Sequence, residues 1–215
     1  VRPSLIDVEH ACEGAVGFNR LSILDLSRQG HQPMSNADGS VYIAFNGEVY
    51  NAFEYTADPQ AAGFRFRSRT DTEVLLYLYE RNGFEGMLGR LDGMFAIVIV
   101  DLNRREVLIA RDHLGIKPFY WGIHQQTLLF SSEVKSFLAH PQFRVELDPE
   151  SLDEYLAFRY CAGDRHLLAG VKQLRPGHFL RVRGGRVSEH RYWAIPDHVD
   201  RAPMPFDAAV VVGVR

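Results

Sequence analysis

The sequence predicts an α+β fold in which antiparallel strands follow one another through short turns, with a few helices. Several segments are rich in β-branched and aromatic residues, turn residues separate them closely, and only two segments carry strong helix signals. The predicted strands are 41–50, 94–101, 106–111, 118–123, 127–131, 177–183 and 186–193, and a short helical turn is predicted at 134–138. Strands and helices do not alternate, which disfavours βαβ units and a parallel sheet.

The two helix signals are strongest at the N-termini. Thr70, with Glu73 three residues later, is a capping box, and apolar residues recur at helical spacing until Gly83, which suits a helix C′ position. Asp148 is a good N-cap residue, and Pro149 after it suits the first helical position. We therefore expect one helix to begin after Thr70 and another after Asp148.

Length and composition are those of an ordinary globular protein. The 215 residues can bury a core, and 46% apolar with 24% charged residues is typical of globular domains. The formal net charge of −3 argues against a nucleic-acid groove or a polybasic membrane patch, and the apolar runs are too short to span a bilayer. Two cysteines, Cys12 and Cys161, make no disulfide framework, so we expect a reducing cytoplasm.

Five residues supply the groups needed to hold a free amino acid while an oxyanion is stabilised. Arg20 lies among apolar residues and offers a guanidinium fork that suits an α-carboxylate. Asn46 and Gly47 offer a side-chain amide and a backbone N–H, which together can form an oxyanion hole. Asp71, with Glu48 as a second acceptor, can hold an α-ammonium group.

Each of these features also has a purely structural interpretation. Asn-Gly between alternating apolar runs is the strongest short hairpin signal, so Asn46-Gly47 could form a type I′ turn. Arg20 could be a surface arginine, and Asp71 a first-turn carboxylate stabilised by the helix macrodipole. On the local pattern alone, both interpretations stay open.

Eight blocks, in order along the chain, resemble the glutaminase half of glutamine-dependent asparagine synthetases, a class II glutamine amidotransferase. They are RLSILDL (20–26), GHQPM (30–34), FNGEVYN (45–51), RTDTEVLLYLY (69–79), LDGMFAIVI (91–99), ARDHLGIKPFYW (110–121), FSSEVKSFL (130–138) and QLRPGH (173–178). The resemblance implies an N-terminal-nucleophile hydrolase-like α/β/β/α sandwich of antiparallel sheets for residues 1–195. Residues 196–215, which are rich in proline at their start, are expected to be a linker and the beginning of a synthetase domain.

The resemblance also assigns a glutamine-binding site by position. It implies that Asn46 and Gly47 form the oxyanion hole and that Glu48 and Asp71 hold the α-ammonium group. On the α-carboxylate side it places Arg20, Leu21, Ser22, Ile23 and Leu24. No cofactor or metal is implied for this domain, while ATP and Mg are implied for the synthetase domain. The implied partners are L-glutamine and the chain's own synthetase domain; a homodimer is left open, and neither nucleic acid nor membrane is expected.

One family feature is missing from its expected place. The family attacks the glutamine carboxamide with the thiol of a cysteine at the mature N-terminus, whereas this sequence opens on Val1. Cys12 is expected to be a structural thiol, buried or exposed, and Cys161 a packing residue. We therefore expect a chain truncated at both ends, a sheet that lacks the family's first strand, and no glutaminase turnover from the chain as given.

Two functions follow from these expectations. In the first, the region hydrolyses glutamine to glutamate and ammonia within a synthetase that amidates aspartate. In the second, it is a non-catalytic scaffold that supports a neighbouring domain, as in relatives such as β-lactam-forming enzymes. The NGEVYN and GHQPM blocks favour the asparagine synthetase branch.

Overall fold

The computed structural model describes residues 14–20, 24–56, 64–141 and 143–196, which form nine strands and two α-helices. The strands are β1 (Met34–Ser35), β2 (Val41–Val49), β3 (Gly93–Asp101), β4 (Glu106–Arg111), β5 (Tyr120–His124), β6 (Thr127–Ser131), β7 (Lys172–Gln173), β8 (His178–Arg183) and β9 (Arg186–Arg191). The helices are α1 (Asp71–Leu88) and α2 (Pro149–Phe158), and 3₁₀ turns occur at Arg28–Gly30, Ala52–Glu54 and Val134–Ala139.

The strands form a large and a small antiparallel sheet. The large sheet has the order β1-β2-β3-β4-β8-β9, and the small sheet has the order β6-β5-β7. Every neighbouring pair in both sheets is antiparallel. The chain leaves the large sheet after β4, builds the small sheet, and returns to the large sheet at β8.

The large sheet is covered by α1 on one face and by the small sheet on the other. Because side chains alternate along a strand, Ile43 and Phe45 of β2 point to one face and Ala44 to the other. Ile43 and Phe45 share a buried cluster with Leu75 of α1. Ala44 belongs to a second cluster, which includes Trp121 of β5. The layers are therefore helix, sheet and sheet.

The predicted strands are confirmed, with small changes at their ends. β4 and β6 have the predicted bounds, whereas β5 begins at Tyr120 rather than Pro118, because proline has no N–H for a strand ladder. The helical turn expected at 134–138 is present as a 3₁₀ helix. α2 begins as predicted, with the Asp148 carboxylate accepting from Ser151 N–H at 2.9 Å.

The start of α1 is confirmed, but its capping differs from the predicted box. Thr70 Oγ1 accepts from Glu73 N–H at 3.3 Å, as expected. The Glu73 carboxylate accepts from Arg67 N–H and Ser68 N–H, at 2.8 and 2.6 Å, instead of reaching back to the cap residue. Gly83 has the positive φ, 69°, of a C′ residue, but another helical turn follows it, so it kinks the helix rather than ending it.

The type I′ turn considered at Asn46-Gly47 is wrong. Both residues lie inside β2, opposite Ala96 and Phe95 of β3. A Cβ on Gly47 would overlap the Met94 carbonyl oxygen and Phe95 Cα, so the glycine permits a close approach of two strands rather than a turn.

Some expectations fall outside the described residues. They concern Cys12, Leu21, Ser22, Ile23, the segment 1–13 and the segment 197–215. The lack of a first strand and the division at residue 196 therefore stay predictions. Within the described part of the chain, no helix has both the length and the apolar character needed to cross a membrane.

A buried carboxylate fixes the loop that leads from the large sheet to the small one. Asp112 follows β4 and is 1% exposed. Its two oxygens accept, at 2.9–3.2 Å, from the backbone N–H groups of Phe95, Leu114, Ile116 and Lys117. Arg111 beside it donates to the carbonyl oxygens of Gly115 and Lys117 in the same loop. The pair therefore satisfies the polar backbone of the turn that leads from β4 towards β5.

We predict that Asp112→Ala lowers the free energy of unfolding by about 3 kcal/mol, because one buried and three partly buried N–H groups lose their acceptor. Denaturant unfolding measures the change. The matched control is Asp92→Ala, since Asp92 is exposed, and its effect should stay within about 0.5 kcal/mol. Equal effects of the two substitutions would contradict the anchoring role of Asp112.

Candidate active site

The candidate site lies along the part of the β2 edge that β1 leaves uncovered. β1 pairs only with Tyr42 and Ile43. Farther along the same edge, Phe45 N–H donates to Gln32 Oε1 at 2.6 Å, and Val49 N–H donates to Asp71 Oδ2 at 3.1 Å. Two backbone donors on this edge are thus held by side chains instead of a strand.

The backbone N–H of Gly47 lies on this edge, between those two anchored donors. Phe95, opposite Gly47, uses its main chain on the other side, since its carbonyl accepts from Asp112 N–H at 2.8 Å. Hydrogen bonding alternates along an antiparallel strand, so Gly47 shares the outward direction of Phe45 and Val49. No described residue accepts from Gly47 N–H. The edge therefore presents one free donor between two occupied ones.

Asn46 places a side-chain amide next to this free donor. It is half-buried, and by alternation its side chain points to the same face as Ala44, toward the small sheet. The amide of Asn46 has no hydrogen-bond partner among the described residues. An amide N–H and a backbone N–H on consecutive residues are the donor types from which oxyanion holes are built.

Asp71 is the buried carboxylate of the site. It is the first residue of α1 and is 4% exposed. Its oxygens accept from Val49 N–H at 3.1 Å and Thr72 N–H at 2.9 Å, which leaves acceptor capacity for a further donor. Burial raises the pKa of Asp71 above its ordinary value, the two backbone hydrogen bonds oppose the shift, and the charge of exposed Glu48 adds to it.

Arg20 lies beside the start of α1. Its guanidinium donates to the main-chain carbonyls of Asp25 and Ser27. A Cβ on Gly30 would overlap this guanidinium and would lie 3.1 Å from Thr70 Cγ2, so Gly30 lets the arginine pack beside Thr70, the residue before Asp71. The guanidinium and the buried carboxylate thus belong to the same region of the fold.

The segment that carries the Arg20 acceptors is itself hydrogen-bonded to Arg69, two residues before α1 begins. Asp25 Oδ2 accepts from Arg69 N–H at 3.0 Å, and Asp25 Oδ1 accepts from Ser27 N–H at 2.8 Å. The hydrogen bond from Arg69 lowers the pKa of Asp25 most, and the hydrogen bonds from Ser27 lower it further, to about 2. Asp25 is therefore ionised at neutral pH, and it links the segment that holds Arg20 to the residues just before α1.

Four of the nine predicted site residues are brought together at this edge. Asn46, Gly47 and Glu48 are consecutive on β2, and Asp71 bonds the next residue along that strand. Leu24 is described and is 44% exposed, whereas Leu21, Ser22 and Ile23 lie outside the described residues. The structural interpretation of Asp71 also holds, because it is a first-turn carboxylate of α1.

Sequence reasoning missed one residue of this region, Gln32. Its side chain bonds both Phe45 N–H of β2 and the Thr72 hydroxyl of α1. The available signal was its place in the GHQPM block, but no role could be assigned before its neighbours in space were known.

Known proteins share this fold and much of this sequence. The family model of the glutamine amidotransferase domain matches residues 7–193. Asparagine synthetase (glutamine-hydrolyzing) 1 of Bacillus subtilis is 40% identical over 167 residues, which cover 78% of this chain and 26% of that protein. Amidase chry2 of Gibberella zeae is 38% identical over 180 residues, which cover 83% of this chain and 26% of that protein. The solved structure of the B. subtilis glutamine phosphoribosylpyrophosphate amidotransferase aligns with a TM-score of 0.54 at 22% identity, covering 78% of this chain and 33% of that one.

These matches define the class of fold first: an α+β, N-terminal-nucleophile hydrolase-like domain with antiparallel sheets, as the sequence predicted. The chain belongs to the class II glutamine amidotransferase domain family. Its resemblance to glutamine-hydrolysing asparagine synthetases is confirmed. The chain spans about a quarter of the length of the curated relatives named above.

We predict that the Gly47 amide exchanges its hydrogen with solvent at least about tenfold faster than the amides of Phe45 and Val49, because only those two have acceptors. Hydrogen–deuterium exchange followed by NMR measures all three amides in one sample. Ala96, in the middle of β3, serves as an internal reference for a slowly exchanging strand amide. Slow exchange at Gly47 equal to that at Phe45 would show that its N–H has an acceptor.

Proposed function

We propose that this chain is the glutamine-hydrolysing, ammonia-supplying domain of an asparagine synthetase that amidates aspartate. The observation that carries the proposal is the free N–H of Gly47, next to the Asn46 amide, on an edge anchored by Asp71. The similarity to B. subtilis asparagine synthetase 1 supports the choice of aspartate as the acceptor.

L-Glutamine would be held by its two charged groups. The buried carboxylate of Asp71 keeps acceptor capacity for the α-ammonium group, and exposed Glu48 adds negative charge nearby. The Arg20 guanidinium uses two N–H donors on carbonyl groups, and the described residues offer no acceptor to its other donors. Those donors suit the α-carboxylate in a paired arrangement.

The reaction places negative charge where the free donors lie. When a thiolate attacks the carboxamide carbon, a C–S bond forms and the carbonyl oxygen becomes an oxyanion, which the Asn46 amide and Gly47 N–H would stabilise. The C–N bond then breaks, the amide nitrogen takes up the proton that the thiol lost and leaves as ammonia, and water hydrolyses the glutamyl thioester to glutamate and the free thiol. Two aligned donors lower the barrier because they need no reorganisation as the charge develops.

The resemblance to the family assigns the attacking thiol to an N-terminal cysteine. Cys161, the one cysteine in the described ranges, lies three residues after the end of α2, and its Sγ donates to the Ser151 carbonyl oxygen at 3.6 Å. Burial raises the pKa of the Cys161 thiol and disfavours the thiolate. These contacts support the packing role expected for Cys161.

For the whole protein we propose two units in one chain. Residues 1–195 form the glutaminase domain, and 196–215 lead into a synthetase domain that uses ATP and Mg to activate aspartate and receives the ammonia. The glutaminase domain itself requires no cofactor in this scheme. The share of the relatives' length that the chain covers, about a quarter, agrees with one domain of a larger enzyme.

We predict that Asn46→Ala in the natural full-length protein lowers kcat for glutamine hydrolysis about 100-fold, because one of two oxyanion donors is lost. Glutamate release, measured with a coupled dehydrogenase assay, reports the rate. Asn103→Ala is the matched control, since Asn103 is exposed in the β3–β4 turn, and its kcat should match that of the parent protein. An unmodified protein that releases no glutamate would refute the enzymatic proposal and favour the non-catalytic scaffold.

We also predict that the affinity for L-glutamine falls as the pH is lowered from neutrality, because the ammonium group binds ionised Asp71. The pKa of free Asp71 is raised, so the loss sets in above the ordinary aspartate range of about pH 4. A bound ammonium group lowers the pKa of Asp71 relative to the ligand-free protein. The affinity therefore rises as the pH increases through the pKa of ligand-free Asp71, and it is constant at higher pH. Isothermal titration calorimetry at several pH values measures the trend.

Asp71→Asn should weaken glutamine binding at neutral pH and remove most of the pH dependence. Asp92→Asn, at an exposed position, should preserve both the affinity and its slope with pH. The assignment fails if the Asp71→Asn protein keeps the affinity and pH dependence of the parent.

A further inference from the structure

Gln32 occupies the position at which β1 would continue along the β2 edge. β1 pairs Met34 with Ile43, so two residues farther along the same register Gln32 lies opposite Phe45. At this point a side chain takes the place of the main chain, because Gln32 Oε1 accepts from Phe45 N–H at 2.6 Å. The hydrogen-bonded ladder is thus extended by one bond beyond the end of β1.

The other end of the Gln32 amide is fastened to α1. Gln32 Nε2 donates to Thr72 Oγ1 at 3.2 Å, and Thr72 is 3% exposed. Because Phe45 N–H requires an acceptor, the amide oxygen must face β2 and the amide nitrogen must face the helix, which fixes its orientation. Thr72 is the residue after Asp71, so one side chain connects β2 to the helix turn that carries the site carboxylate.

The free N–H of Gly47 is held between two such connections. Phe45 is tied by Gln32 to Thr72, and Val49 is tied directly to Asp71. Each anchored residue is two positions from Gly47, roughly 7 Å along the strand. Pairing with β3 turns the Gly47 N–H to this edge, but no strand on the edge itself holds it, so the two side chains restrain its exact alignment.

We propose that Gln32 is a positioning residue that aligns the Gly47 N–H for oxyanion stabilisation; this inference rests on the proposed glutaminase function. Gln32 acts through Phe45 and needs no contact with the substrate. A donor that is used only in the transition state affects kcat, whereas Asp71 and Arg20 would set substrate binding and hence KM. Loss of Gln32 should therefore separate the two kinetic constants.

The first experiment compares Gln32→Met with the natural full-length protein in the glutamate-release assay. Methionine has a similar length but cannot accept from Phe45 N–H or donate to Thr72. We expect kcat to fall about 30-fold while KM changes less than about threefold, since a small misalignment of a reacting group is costly. Gln29→Met is the matched control, because Gln29 is exposed, and both kinetic constants should stay at the parent values.

The second experiment tests whether the link to α1 matters. Thr72→Val removes the acceptor for Gln32 Nε2 and leaves Gln32 Oε1 free to bond Phe45, so we expect a smaller fall in kcat, about fivefold. In the double variant Gln32→Met/Thr72→Val, kcat should equal that of Gln32→Met, because the connection is already broken. If Gln32→Met does not fold, Thr72→Val alone tests the inference: kcat should fall while KM stays unchanged.

Several outcomes would overturn the inference. A Gln32→Met protein with a lower melting temperature but the parent kcat would show that Gln32 only stabilises the fold. A raised KM at unchanged kcat would make it a substrate-binding residue, and additive effects in the double variant would remove the proposed connection. Inactivity of the parent protein refutes the proposed function itself, whereas an active parent matched by Gln32→Met refutes only the role of Gln32.

Discussion

The alternation of hydrogen bonds along β2 is the constraint on which the candidate site depends. The N–H and C=O groups of Phe95 in β3 both bond Asp112. Gly47, which lies opposite Phe95, must therefore direct its N–H to the edge of β2 that faces away from β3. Alternation along the β2–β3 pair thus leaves the Gly47 N–H on that outer edge. Gly47 also has no Cβ, which allows β2 and β3 to approach closely where a side chain would overlap Met94 and Phe95. The pairing of β2 with β3 at Gly47 therefore explains both the close approach of the two strands and the free N–H of the candidate site.

Asp71 has two tasks that are physically coupled. It accepts from Val49 N–H and so fixes one end of the open edge, and the same carboxylate is the acceptor proposed for a ligand ammonium group. Burial makes the ionised form of Asp71 less favourable, and the negative charge of Glu48 increases this cost. Two backbone N–H donors offset part of the cost. A cation in the site would offset the remainder. A carboxylate in this state favours an ammonium ligand more strongly than an exposed one, because less water must be removed on binding.

Local sequence signals predicted the elements of this fold well, because strand formers and N-caps act over a few residues. Asp148 and Thr70 cap their helices as expected. The Asn46-Gly47 pair could not be decided in this way, because its turn preference is local whereas its pairing with β3 is tertiary. The contact between Gln32 and Phe45 was beyond sequence reasoning, since it depends on the register between β1 and β2. The roles expected for Asn46, Gly47 and Asp71 rest on their chemistry and on the family blocks, because the local pattern alone left structural alternatives open.

The end of β1 explains why a free donor exists on this edge. If β1 continued past Met34, its main chain would accept from Phe45 and then from Gly47 in turn, since a ladder bonds every outward amide. A side chain such as Gln32 can satisfy Phe45 without continuing to the next amide. Asp71 satisfies Val49 in the same way from the other end. An edge that would otherwise invite pairing with another chain is thus reduced to one exposed donor. The oxyanion role proposed for Gly47 depends as much on where the neighbouring strand ends as on the residues of β2 themselves.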